Sequence, residues 1–306
     1  MHSARIFRTL THALLLLAAS LLVLPAAYAQ DNSQGRYRPE GRQIGVAAGR
    51  EFGERIYEVR TYETNPGIAE FADVMVFYPL TLSFDRPNGA IAFSPGFRAA
   101  ADNYEWWGPA LASLGYNVFI FNTNEPTDDL DARADALAAL VDFIKAENAN
   151  PDSPVANKID EDKIALMGHS MGGGAALAAA DRLGDAVGAV IPLALYCCNP
   201  GGSFEGDYGS ISAAALVIAS AEDTVAPPEA HARLLYDSLG SENKIYMEFA
   251  AGDHMFPANG GPELATMGRF TLAFLKAYLD GVEGLAQHVA EPGDAYADRF
   301  STYLAP

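Results

Sequence analysis

Two cysteines in 306 residues rule out a disulfide framework, so the fold must rest on a buried core. They are neighbours, Cys197 and Cys198, and adjacent cysteines bridge only through a strained peptide. Buried free thiols, a vicinal disulfide and pairing between chains therefore stand as three open readings. Positive charge is scarce as well, with 20 Lys and Arg against 39 Asp and Glu, a net of −19. That balance argues against nucleic acid as a partner, and the acids read as a solvated surface. Beyond the first thirty residues no long apolar run occurs, so no membrane anchor is expected. No cluster of metal ligands stands out, and Gly172-Gly173-Gly174 lacks the Lys-Ser/Thr ending of a phosphate loop. No cofactor and no metal are expected.

What is present begins with Arg5 and Arg8, an apolar run over 13–24 and Ala27-Tyr28-Ala29, the pattern of a secretory signal cut before Gln30. Its loss would remove two Arg and no acid, taking the net charge from −19 to −21. A secreted or periplasmic protein is expected. Residues 30–50 are rich in Gly, Arg and Gln without period and read as a loosely held arm. Residues 51–306 are long enough for one large domain.

Two β-type stretches, 56–62 and 73–78, precede a regular rhythm. Short apolar runs at 90–93, 116–121, 163–167, 187–195, 214–220 and 245–249 alternate with helical patterns at 102–114, 129–146, 171–183, 228–239 and 262–280. Such alternation predicts an α/β fold with a mostly parallel central sheet and helices on both faces. Reactive groups then belong at the carboxyl ends of strands.

The run 163–167 leads into Gly168-His169-Ser170-Met171-Gly172 and then a helical stretch. G-x-S-x-G between a strand and a helix is the context that lifts a serine hydroxyl above a sheet, with glycines keeping Cβ atoms out of a crowded turn. Ser170 is therefore the expected nucleophile, and the helix start favours an oxyanion. His169, between Gly and Ser, reads as a packing or hydrogen-bonding residue. The chain order for this motif is Ser, acid, His. Asp223 follows the run 214–220, and its short side chain orients an imidazole more firmly than Glu222 would; the competing reading is a helix cap. His254 lies on a small-residue loop after 245–249 and is the expected base, whereas His231 falls in a helical pattern and His288 in the C-terminal tail. Oxyanion amides are expected from Met171 and from Phe97, in Ser94-Pro95-Gly96-Phe97 after the run 90–93.

Over residues 72–280 the sequence resembles the bacterial cutinase-like polyester hydrolases, which include enzymes that attack poly(ethylene terephthalate), in the dienelactone-hydrolase branch of the α/β-hydrolases. The likeness is carried by Ser94-Pro95-Gly96-Phe97, Trp107-Gly108-Pro109, Leu111 to Tyr116, Asn122-Thr123-Asn124 with Asp131 and Arg133, Gly168 to Gly174, Ile191-Pro192-Leu193, Asp223 to Pro227 and His254. The resemblance implies Ser170, Asp223 and His254 as a triad, Phe97 and Met171 as oxyanion donors, and Tyr196 beside the scissile ester, where the family usually carries Trp. It departs from the family in Cys197-Cys198 and in lacking the cysteines for the C-terminal disulfide of many members.

The expected function is a monomeric ester hydrolase with an open cleft for an ester or polyester substrate, since no insertion long enough for a lid is present. A small-ester esterase or acyltransferase with the same triad is the second reading. A non-catalytic binding protein on the same fold is the third, and it would expect a missing triad member.

Overall fold

The computed structural model describes residues 39–197, 207–258 and 261–306. Among them nine strands form one sheet: β1 (Val59–Thr64), β2 (Asp73–Pro79), β3 (Asn88–Ser94), β4 (Asn117–Asn122), β5 (Ile159–His169), β6 (Ala189–Leu193), β7 (Ala214–Ser220), β8 (Lys244–Phe249) and β9 (Phe300–Leu304). Their spatial order is β1-β2-β4-β3-β5-β6-β7-β8-β9. The pairings from β4 across to β8 are parallel, and β1, β2 and β9 join antiparallel. This is an α/β-hydrolase fold.

The apolar runs become interior strands because both of their faces are covered. All seven residues of β7 and all five of β6 are buried. Alternate side chains serve opposite cores. Phe119, Val190 and Val217 point to one side, while Val118, Ile191 and Leu216 point to the other. Helices α3 (Leu130–Ala149), α4 (Met171–Leu183) and α5 (Ala232–Ser238) cover the first face, and α1 (Pro39–Phe52), α2 (Trp107–Ala112) and α6 (Leu264–Phe274) cover the second. Asp129 starts α3 by accepting the Ala132 amide at 3.0 Å.

Several expectations need correction. Residues 39–50, read as part of a loose arm, belong to α1, whose buried positions are Gly41, Gly45, Ala48 and Gly49. A Cβ on Gly41 would strike the Trp106 carbonyl, and one on Gly45 the Ser113 hydroxyl. The glycines that imitate a linker are thus the contact face that lets α1 lie close against α2. The run 187–195 ends as a strand at Leu193, because Ala194 turns with φ of 41°. The 102–114 pattern divides into a 3₁₀ turn, Ala101–Tyr104, and α2; that at 228–239 breaks at His231; and α6 continues into a π turn, Leu275–Leu279. The C-terminal tail is structured too: α7 (Gln287–Ala290) and β9 follow, and β9 completes the sheet beside β8. The expected signal segment lies outside the described residues.

Candidate active site

Every sequence-derived site residue sits at the carboxyl edge of the parallel strands: Phe97 after β3, Ser170 and Met171 after β5, Tyr196 after β6, Asp223 after β7 and His254 after β8. The turn at Ser170 is strained, with φ 55° and ψ −124°, a conformation costing on the order of 1–3 kcal/mol for a residue with a Cβ. Hydrogen bonds hold it. The Ser170 amide donates to the Leu193 carbonyl at 2.9 Å, and the Ser170 carbonyl accepts from Tyr196 at 2.8 Å and Gly173 at 2.9 Å. A Cβ on Gly168 would meet the Gly172 carbonyl, and one on Gly172 the carbonyls of Ser94 and Pro95. Glycine at 168 lets the end of β5 lie against the start of α4, and glycine at 172 lets the turn lie against the β3 loop.

The Ser170 hydroxyl oxygen stands 2.8 Å from His254 Nε2, and His254 Nδ1 stands 2.7 Å from Asp223 Oδ2. A carboxylate only accepts, so Nδ1 carries the proton and Nε2 is left to accept from the serine. Asp223 Oδ1 also accepts the Val225 and Ala226 amides at 2.9 and 2.8 Å; these bonds shape its own loop and cap no helix, since the 3₁₀ turn that follows begins only at Pro228. Burial by itself would raise the Asp223 carboxyl; the hydrogen bonds from His254 and from the two amides outweigh it and hold the group below its ordinary range. Glu222 turns elsewhere and accepts the Gly252 amide at 3.3 Å. The Ser220 hydroxyl donates to the Gly252 carbonyl at 2.6 Å, tying the loop of Asp223 to that of His254.

Met171 opens α4, so its N–H is one of the four that the helix leaves unused. Phe97 is exposed, as is Val225, two residues past Asp223. Tyr196 packs against His231, with ring centroids 4.4 Å apart and planes tilted by 31°. His231 precedes α5 instead of lying inside it, and its Nδ1 accepts the Cys197 amide at 3.2 Å. Cys197 is disulfide-bonded, which removes the free-thiol reading for it; Cys198 lies outside the described residues.

Four further side chains support the site, and one of them, His169, is the packing and hydrogen-bonding residue expected from its place in the motif. Arg133, wholly buried, donates to the carbonyls of Pro95, Pro126 and Asp128 at 3.0–3.1 Å and so steadies the loop bearing Phe97. Tyr104 and His169 are buried beside that loop, with the phenol oxygen 2.8 Å from His169 Nδ1. His231 is the fourth. Arg133 carries two signals, its place in the family resemblance and its charge inside a helical apolar pattern; spacing says nothing of Tyr104 or His231. His288 lies far from this chemistry, beside Arg269. Among the described residues, no group of His, Cys, Asp and Glu is arranged to hold a metal.

A hydroxyl, an imidazole and a buried carboxylate in series, on a sheet of this topology, define a serine hydrolase of the α/β type. The sequence matches the PETase family model, described as PET hydrolase-like, over residues 46–305, and the chain belongs to that family of carboxylic ester hydrolases. It is 31% identical over 269 residues to the bis(hydroxyethyl) terephthalate hydrolase of Streptomyces coelicolor, covering 86% of this chain and 80% of that protein. It is 34% identical over 204 residues to cutinase est1 of Thermobifida alba, covering 65% of this chain and 64% of the relative. For cutinase cut1 of Thermobifida fusca the identity is 33%, over 65% of this chain and 60% of the relative. The match thus spans less than two thirds of these two cutinases.

Proposed function

We propose that the protein is an exported, monomeric hydrolase that cleaves carboxylic esters, polyesters among them, through an acyl-enzyme on Ser170. The observation that carries this reading is the continuous series from Asp223 through His254 to Ser170, with contacts of 2.7 and 2.8 Å. His254 Nε2 takes the hydroxyl proton as the serine oxygen bonds to the ester carbonyl carbon. Asp223 holds the imidazole in the tautomer that can accept it. The amides of Met171 and Phe97 receive the carbonyl oxygen as it becomes an oxyanion. Collapse of this intermediate breaks the ester C–O bond, and the proton on Nε2 passes to the departing alkoxide. Water, deprotonated by the same nitrogen, then releases the acid and restores Ser170.

The substrate class is supported by what borders the serine. Phe97 and Tyr196 offer aromatic surface at an open rim, which suits an extended apolar ester chain. The relatives named for bis(hydroxyethyl) terephthalate and for cutin point the same way. No helix of the described residues is long and apolar enough to cross a membrane. Residues 1–29 are proposed as a leader and 39–306, with α1 included, as one catalytic domain, so the exported protein should begin at Gln30 by intact mass.

The decisive experiment labels the protein with a serine-directed phosphonate. One adduct is expected on the wild type and none on Ser170→Ala, with hydrolysis of p-nitrophenyl esters abolished together. A wild type that takes no label would favour a binding protein. Acid release from a polyester film then tests the polymer: turnover of soluble esters alone would remove polyesters and keep the triad.

A further inference from the structure

His169 and Tyr104 are both buried, and neither enters the proton path just described. Their hydrogen bonds nonetheless run in one direction that can be deduced. His169 Nε2 lies 2.8 Å from the backbone carbonyl of His254, and a carbonyl only accepts, so Nε2 bears the proton. The imidazole is neutral, since burial first, and then the proximity of His254, push it down to about 3. Nδ1 is therefore an acceptor. The Tyr104 phenol, 2.8 Å away, donates to it, and the phenol oxygen in turn accepts the Gly96 amide at 3.0 Å. The series thus runs from Gly96 through Tyr104 and His169 to the carbonyl of His254. It starts one residue before Phe97 and ends on the backbone of the base.

Packing makes this path tight. A Cβ on Gly96 would stand 3.0 Å from His169 Nδ1, 3.1 Å from Ser170 Cβ and 3.3 Å from the Tyr104 oxygen, so the loop is seated directly on these atoms. Ring centroids lie 5.7 Å apart from Tyr104 to His169 and 4.9 Å from His169 to His254.

We propose that Tyr104 and His169 are a positioning pair, a bridge of fixed proton direction that holds the oxyanion loop and the base loop in register with each other. The inference rests on the assignment of Ser170, His254 and Phe97 given above. Its physical content is that displacements of about 1 Å at a reacting centre cost up to about a hundredfold in rate. The phenol hydrogen is what selects the His169 tautomer. Without it, Nδ1 can take the proton, Nε2 then opposes the His254 carbonyl, and the two loops lose their common anchor.

Spectra of ¹⁵N-histidine-labelled protein distinguish the tautomers directly. Wild-type His169 should be neutral and protonated on Nε2, and Tyr104→Phe should show a mixture of tautomers. On a soluble p-nitrophenyl ester, Tyr104→Phe is expected to lower kcat about tenfold with KM changed by less than about twofold. His169→Leu should lose at least as much. His169→Gln keeps one donor and one acceptor on the side chain and should recover most of the rate, a rescue that mere core filling would not produce. The bridge is overturned if wild-type His169 carries its proton on Nδ1, or if Tyr104→Phe retains both the wild-type tautomer and kcat. Should Tyr104→Phe fail to fold, the wild-type tautomer and the contrast between Gln and Leu at 169 still decide. A dead Ser170→Ala beside an unaffected Tyr104→Phe sinks the bridge alone, whereas an active Ser170→Ala sinks the triad beneath it.

Discussion

At the scale of the residue, Asp223 divides its two oxygens between two tasks. One accepts the backbone amides that shape its own loop, and the other fixes the proton of His254. Asp223→Asn separates them. The amide oxygen still accepts from Val225 and Ala226, but the NH₂ now faces His254 Nδ1, forcing the imidazole proton onto Nε2, where it cannot accept from Ser170. The expected result is a fall in kcat of roughly 10³–10⁴-fold, with the urea midpoint near that of the wild type. A variant within tenfold of wild-type kcat would show that Asp223 is a loop cap and no more.

At the scale of the element, close approach is obtained by removing side chains. Helix α1 meets α2 through Gly41 and Gly45, one turn apart, Gly49 a turn further on lies against Leu114 and Ile56, and Gly268 of α6 leaves space for Ile44. Arg269 of α6 adds an ion pair to Glu51 at the end of α1. Gly45→Leu would drive a side chain into Ser113 and the Ala110 carbonyl. It should cost about 1–3 kcal/mol by urea denaturation, although leucine is the better helix former by nearly 1 kcal/mol. A stabilised variant would mean that α1 is not packed as described. The strained Ser170 turn follows the same logic, since glycines on either side let carbonyls of neighbouring segments come within contact distance.

At the scale of the whole molecule, one sheet closed by antiparallel strands at both ends carries two cores, and its stability should depend on acid in a definable way. His169 titrates near 3 when folded against an ordinary 6.5. Between those values the unfolded chain binds a proton that the folded protein refuses, so the share of stability from this group is lost as pH falls below 6.5 and is exhausted near 3. The slope from this one group reaches about 1.4 kcal/mol per pH unit. Replacing it by Gln removes that share, so the urea midpoint of His169→Gln should decline less steeply across the window than that of the wild type. Parallel profiles would show that His169 is protonated in the folded protein.

What the sequence determined by itself was whatever is written locally. Alternating apolar runs specify a parallel sheet covered on both faces, because buried side chains leave a periodic trace. The strand, tight turn and helix around Ser170 lie within a few residues of one another, and the order of acid and base follows along the chain. Tertiary structure alone decided the rest. The glycine face of α1 leaves no hydropathy signal, since glycine contributes no side chain, and β9 is a strand because β8 offers it an open edge. The Gly96 to Tyr104 segment, His169 and His254 lie far apart along the polypeptide, and only the order of β3, β5 and β8 in the sheet brings them together so that hydrogen bonds can form.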